Sequence, residues 1–282
     1  GGGPGLLMTC QLTPETPLDE IEHSSERGVF AWKGYSRNVT TNSDYGIEEW
    51  DSPEMHARAV VAGRVGVPFL LHLQDKTPDP LDGELSALHR ALPLIEAHRN
   101  VIWSVEHATC AKTIEVIRSL RKDGFSITTT LTLHGATKCV DDVGDNPYLK
   151  VQPPIQSAAN RDAVLDAILS GEFIKGRDAA AHPYKLKQLG WEKAPSGIWT
   201  PDCVDIPLTY QLFKEHGGPG WESRFAKFMM GNAHAFYGSR MPMRLLPLLR
   251  LVQEDWVVEV ETSPIKITPF RAGEVLRYRL AG

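Results

Sequence analysis

An α/β fold built on a parallel sheet is predicted for this chain, and three observations predict it. Short apolar or β-branched runs alternate with segments of helical periodicity along the 282 residues. Strands that alternate with helices imply βαβ units, in which a crossover helix returns the chain to the next parallel strand. Four of the runs end in, or just beyond, a polar or ionisable residue: Lys33, His72, His107 and Asp178. In α/β barrels the strand ends converge at one mouth, so residues far apart in the chain meet there. The length suits a single barrel domain over 1–282, with a flexible start at 1–5 and a C-terminal appendage from 240.

The elements follow in order. Strands are expected at Leu6–Leu12, Gly28–Gly34, Val67–His72, Asn100–His107, Ser126–Leu133 and Gly171–Asp178. Helices are expected between them at Asp51–Val65, Gly83–His98, Cys110–Asp123 and Asn160–Ser170. The last opens on Asn160 as its cap and carries Val164, Leu165, Ile168 and Leu169 in a helical stripe. Val67-Pro-Phe-Leu-Leu is nearly all apolar, as a parallel strand covered on both faces should be. Helices at Pro207–His216 and Trp221–Met230 would extend the outer ring. Leu246–Val252, Trp256–Val260 and Ile265–Phe270 read as a small terminal β appendage.

Composition narrows the function. Apolar residues make up 42 % and charged residues 23 %, and the net charge is −5. Lys and Arg form no basic run, so there is no electrostatic footprint for nucleic acid. No apolar stretch reaches the ~20 residues that span a bilayer. Cys10, Cys110, Cys139 and Cys203 are scattered without a C-x-x-C pair, which reads as reduced thiols and a cytoplasmic location.

The residues at the strand ends suggest metal chemistry. His72 and His107 are imidazoles on separate strands, a normal way to hold zinc. Lys33 could join them only after losing its charge, for example as a carbamate formed with CO₂. Asp178 could bind the metal and accept a proton from a water whose pKa zinc lowers to about 7. Singly, each has a plain reading: a hydrogen-bonded histidine, a solvated lysine, an aspartate capping a helix. Their order along the chain favours the joint reading. His134 reads as a packing residue near the mouth.

Six segments carry a resemblance to the type II dihydroorotases. Lys33-Gly-Tyr-Ser-Arg-Asn-Val-Thr-Thr-Asn-Ser43 resembles the stretch in which a carbamylated lysine precedes a Thr-Thr-Asn-Ser loop. Leu70-Leu-His72 and Val105-Glu-His107 resemble the family's two single-histidine strands. Ser126-Ile-Thr-Thr-Thr-Leu-Thr-Leu-His134 is similar to its Thr-rich strand, and Gly176-Arg-Asp178-Ala-Ala-Ala-His182 to its Gly-x-Asp-Ser-Ala-Pro-His. Ile267-Thr-Pro-Phe-Arg-Ala-Gly-Glu resembles its closing strand.

The resemblance implies a TIM-type metal-dependent amidohydrolase barrel, here strands three to eight. It implies zinc, two ions in the family and one or two here. Lys33 as a bridging carbamate, His72, His107 and Asp178 would be ligands, with Asp178 also the catalytic acid/base. Thr40, Thr41, Asn42 and His182 would contact a small-molecule substrate. The reaction implied is the reversible interconversion of dihydroorotate and N-carbamoyl-L-aspartate in pyrimidine synthesis. A homodimer, or a partner supplying the first two strands, is a further expectation.

The sequence also departs from the pattern. It holds no His-x-His, which in the family ends the first strand. Leu73-Gln74 stands where the family has Gly-Glu, Ala179-Ala-Ala replaces Ser-Ala-Pro, and Pro201 falls where a backbone N–H is used on the substrate. Two alternatives follow: a catalytically impaired relative acting as a binding or scaffolding partner, or a mononuclear amidohydrolase with another substrate.

Overall fold

The computed structural model describes residues 7–41, 43–240, 249–260 and 265–281. In chain order, β1 (Thr9–Leu12) and α1 (Leu18–Glu22) lead to β2 (Ala31–Tyr35), α2 (Pro53–Val65), β3 (Phe69–His72) and α3 (Gly83–Ala97). Then come β4 (Trp103–Val105), α4 (Ala111–Lys122), β5 (Ile127–Leu131), α5 (Leu133–Thr137), α6 (Val140–Val143), α7 (Ala158–Ser170) and β6 (Ile174–Lys175). Four helices follow, α8 (Tyr184–Lys187), α9 (Asp202–His216), α10 (Trp221–Ala226) and α11 (Asn232–Tyr237), before β7 (Leu251–Val257) and β8 (Val275–Leu280).

β1 to β6 form one sheet, parallel throughout and paired in sequence order. Among the described residues, β1 and β6 are its two edges. Each expected strand is present but shorter, because the flanking residues turn toward the helices; Gly171–Asp178 contributes only Ile174–Lys175. Leu6 lies outside the described residues.

Local chemistry sets the helix ends. Ser52 caps α2 by accepting from Met55 N, Pro53 occupies the first turn, and Gly66 closes it at φ 68°. Ser157, not Asn160, caps α7, accepting from Asn160 N. The Asn160 side chain instead accepts from Ala111 N at 3.0 Å, at the start of α4. Pro207 does not begin α9, which starts five residues earlier at Asp202. The Trp221–Met230 run holds a single α-helix only to Ala226, then a π turn over Lys227–Gly231.

Register explains how the sheet is two-sided. Trp32, Phe69, Trp103 and Ile127 lie in one row of paired residues, and Lys33, Leu70, Ser104 and Thr128 in the next. Successive residues of a strand face opposite sides. The first row joins Leu71, Val105 and Leu131 in the main apolar core beneath the helices. Phe69 and Trp103 are fully buried there and meet edge to face at 5.7 Å, each burial being worth roughly 1.5–3 kcal/mol. The other face carries Lys33, His72, Ser104, Thr128 and Thr130. β3 and β4 are buried along their whole length, while β1, β2, β5 and β6 are not, so the reading of strands covered on both faces fits the middle of the sheet and not its flanks.

The C-terminal region differs from the reading made from sequence. β7 is one strand crossing the gap between two expected ones, and its partner is β8, antiparallel. Ile265–Phe270 forms no strand; Pro269 makes an isolated bridge to Trp199. Residues 246–248 of the first expected segment lie outside the described residues. A second apolar cluster, including Val204, Leu208, Val258, Phe270 and Leu276, lies where the hairpin packs on α9. Among the described residues no helix is long and apolar enough to cross a membrane.

Gly171 closes α7 at φ 70°, and a Cβ there would lie 2.7 Å from Arg224 Cβ and 2.8 Å from Arg224 O. Gly66 has nearly the same φ, with nothing within 4 Å. Gly66→Ala is expected to cost about 1 kcal/mol from backbone strain alone. Gly171→Ala must also move α10, so its denaturation midpoint should fall distinctly further. Equal shifts in urea melts would show that this helix contact is soft.

Candidate active site

The polar face of the sheet becomes a site where its strands stop. Tyr35 is paired with His72 across β2 and β3, so the ends of these strands are level. β4 ends at Val105, and Glu106 and His107 follow. His107 has φ 44°, a left-handed conformation uncommon for a residue with a side chain. Its N–H donates to Thr130 Oγ1 at 2.7 Å, which anchors the turn to β5.

This turn brings two histidines together. His72 Nδ1 and His107 Nε2 are 3.0 Å apart, and the rings are 4 % and 5 % exposed as residues. Their outer nitrogens, His72 Nε2 and His107 Nδ1, are buried with no hydrogen-bond partner among the described residues. Burial, reinforced by the charge of Lys33, holds both imidazoles well below the ordinary histidine pKa. Neutral imidazole is the form that binds metal.

Lys33 is in the same cleft. Its Nζ lies 3.5 Å from Glu106 Oε2, while Glu106 Oε1 accepts from Ser104 Oγ at 2.6 Å. Glu106 was not singled out from sequence, although it precedes a candidate ligand; alternation places it on the same inward face as Ser104. Burial raises the pKa of the Tyr35 hydroxyl, helped by the carboxylates of Asp178 and Glu106.

Asp178 arrives by a different route. It is three residues beyond β6 at φ 45°, and no helix begins before Tyr184, so it caps none. Gly176 lets β6 leave close against β5, since a Cβ there would lie 2.8 Å from Thr130 Cβ. On the outward face the β6 end is tied to α9 by Lys175–Asp205 at 2.8 Å and by Arg177–Asp202. His182 follows, with its Nε2 2.9 Å from Ser196 O. Gly197, at φ 146°, passes so near that a Cβ would lie 2.8 Å from this nitrogen.

Opposite this segment runs the loop after β2. Ser43 Oγ accepts from Val39 N and Thr40 N at 3.1 Å and donates to Thr40 O at 2.7 Å, making a closed polar turn. Thr40 and Thr41 line the cleft; Asn42 lies outside the described residues. A cleft of ≈ 250 Å³ thus gathers Lys33, Thr40, Thr41, His72, His107, Asp178 and His182. Gln152 and Ser196 also line it; nothing in their local sequence marked them. His134 is 2 % exposed and meets Phe270 edge to face at 6.4 Å, the packing role read for it.

Comparison with known proteins decides the family. No family model matches the chain. It is 30 % identical over 293 residues to a dihydroorotase of Laribacter hongkongensis, a match covering 100 % of this chain and 81 % of that protein. Identity to the dihydroorotase of Nitrosomonas eutropha is 29 % over 285 residues, covering 97 % of this chain and 79 % of the relative. The chain belongs to the dihydroorotase family. Solved structures agree at the level of fold. A dihydroorotase from Campylobacter jejuni superposes with a TM-score of 0.85 at 23 % identity, covering 98 % of this chain and 78 % of that one. The Saccharomyces cerevisiae dihydroorotase in complex with 5-fluoroorotic acid gives 0.86 at 23 % identity, covering 98 % and 80 %. An L-hydantoinase from Arthrobacter aurescens gives 0.79 at 18 % identity, covering 96 % and 66 %. The fold is that of the TIM-barrel amidohydrolases.

Dihydroorotase family membership implies a metal cofactor, generally zinc. The histidine pair fits one. Two nitrogens on a tetrahedral zinc, each at about 2.0–2.1 Å, are about 3.3 Å apart. The observed 3.0 Å therefore needs only a small opening. As an ammonium Lys33 does not fit, and among the described residues no three His, Cys, Asp or Glu side chains are arranged to hold an ion.

Burial pushes the His134 pKa down to about 4; the carboxylate of Asp178 opposes this and Lys175 adds to it. In the unfolded chain a histidine titrates near 6.5. Between these values the unfolded chain binds the extra proton, so stability falls as the pH drops from 6.5 toward 4. A His134→Asn variant is expected to lose less stability across that window, by at most about 3 kcal/mol. Parallel urea melts at pH 6.5 and 4.5 check this; identical losses would contradict it.

Proposed function

We propose that this chain catalyses the dihydroorotase reaction, opening and closing the cyclic amide that links dihydroorotate with N-carbamoyl-L-aspartate. The gathering of Lys33, His72, His107 and Asp178 about one cleft carries the reading. Kinship with named dihydroorotases supplies the substrate class. His72 and His107 would hold a zinc ion, and Lys33, once carbamylated, would add an oxygen ligand. Asp178 would complete the set and move the proton. The ion supplies Lewis-acid polarisation of the amide carbonyl.

The rest of the chemistry belongs to the side chains. In ring opening, water adds to the carbonyl carbon and the C–N bond breaks. The Asp178 carboxylate takes the proton released by that water and delivers it to the departing nitrogen. Ring closure runs the same transfers in reverse. His182 and the Thr40–Thr41 turn, with Asn42, would orient the substrate and shield it from bulk water. The enzyme would work in the cytoplasm, as a homodimer or with a partner that supplies further strands.

One observation favours a second reading. Glu106 Oε2 sits 3.5 Å from Lys33 Nζ, an ion pair made by the ammonium, which neither binds metal nor takes up CO₂. A chain held in that state would be a mononuclear amidohydrolase or a non-catalytic binding protein.

Asp178→Asn is expected to lower turnover in both directions by roughly 10²–10⁴-fold. His72→Ala should lose the zinc found by elemental analysis of the wild type. A carbamate carbon signal after exposure to ¹³C-bicarbonate, lost in Lys33→Ala, would support the third ligand. Wild-type protein with neither zinc nor turnover would overturn the catalytic reading in favour of the non-catalytic binding protein; one zinc per chain without dihydroorotate turnover would favour the mononuclear amidohydrolase.

A further inference from the structure

We infer that Glu84 is a positioning residue for His107: its buried carboxylate fixes the turn that delivers the imidazole to the cleft. The inference rests on the reading of His107 as a metal ligand, and it begins from the backbone. A left-handed histidine persists only where its surroundings over-determine it. Here the N–H groups of four consecutive residues, His107 to Cys110, each have an acceptor outside the turn. His107 N and Ala108 N donate to Thr130 Oγ1 and Thr130 O, at 2.7 and 3.1 Å. Thr109 N and Cys110 N donate to Glu84 Oε2 and Oε1, at 2.8 and 3.1 Å. Beyond the turn, Ala111 N, the first of α4, donates to Asn160 Oδ1 at 3.0 Å.

Glu84 stands apart within this clamp. It is 1 % exposed, and the Thr109 hydroxyl also donates to its Oε2. A carboxylate is purely an acceptor, so it can take three donors at once; a carboxamide in the same place would turn an N–H against one of them. Glu84 also links the two histidines. It lies in the first turn of α3, and that turn is packed tightly on the segment just after His72. Asp75 N donates to Gly83 O at 2.9 Å, and a Cβ at Gly83 would lie 2.1 Å from Gln74 Nε2 and 2.5 Å from Asp75 O. The exits of β3 and β4 are therefore held to one helix end, and Glu84 is the side chain that completes the link to His107.

A purely structural role would be to cap α4, whose own N-cap, Cys110, makes no side-chain cap bond. Asn160 caps the same helix through Ala111 N, whereas Glu84 takes Thr109 N and Cys110 N, so Asn160→Ala is the control. Zinc affinity is measured by competition with a chromophoric chelator, well below the melting temperature. Glu84→Gln is expected to weaken it about 10–100-fold, as loss of an outer partner does at other metal sites. Asn160→Ala should lower the melting temperature and leave zinc affinity unchanged.

A second readout needs no metal. In a long-range ¹H–¹⁵N spectrum of metal-free protein, the His107 ring should give one sharp neutral tautomer, shifted or broadened in Glu84→Gln and unaltered in Asn160→Ala. If Glu84→Gln does not fold, Thr109→Val removes one of the three donors and should produce both changes at smaller amplitude. A Glu84→Gln, or failing it a Thr109→Val, that melts earlier with an unchanged His107 signal would reduce Glu84 to a cap and overturn the inference. Wild-type protein that binds no zinc would overturn the metal reading instead, and the ring spectrum would still judge Glu84.

Discussion

Period-two alternation across a parallel sheet is the constraint from which the site follows. Each inner strand spends one set of side chains on the core under the helices, where Trp32, Phe69, Trp103 and Ile127 are packed. The intervening residues must then face inward, whatever their chemistry. Lys33, His72, Ser104 and Glu106 are on that face because their neighbours are on the other. A one-residue slip of β2 against β3 would bury a lysine among aromatic rings and turn an indole to the cleft. Register and chemistry are thus one requirement, and the apolar face enforces it.

The same constraint explains what could be read from the chain alone. All six strands were found, because an apolar run with a polar end is a local pattern. Lys33, His72, His107 and Asp178 could be singled out because each closes or follows such a run, and all four line one cleft. Strand length was overestimated, since nothing local distinguishes the last paired residue from the first one turning away. Asn160 was read as the cap of α7, yet its side chain serves α4; a capping residue announces its chemistry and not its customer. Glu84 had no signal at all. Its role depends on a contact 25 residues away in sequence, at Thr109.

Lys33 is the point of chemical tension. In the cleft it is close to a carboxylate, which suits a cation, and its charge helps hold His72 and His107 neutral, which suits a metal. An ammonium therefore prepares its neighbours for an ion that it would itself repel. The arrangement is consistent if the lysine changes charge when the ion enters, and inconsistent if it does not. This one side chain separates the catalytic reading from the non-catalytic one more sharply than any missing motif.

The close passage of Gly197 past His182 has a consequence for how such a site can diversify. With only a hydrogen atom between the 196–197 backbone and the imidazole, ring and loop are mechanically a single part. A larger residue at 197 would displace the ring before it touched any substrate. New selectivity is therefore more readily built on the Thr40–Thr41 side of the cleft, where the wall is a self-contained turn that can be redrawn without disturbing the histidine.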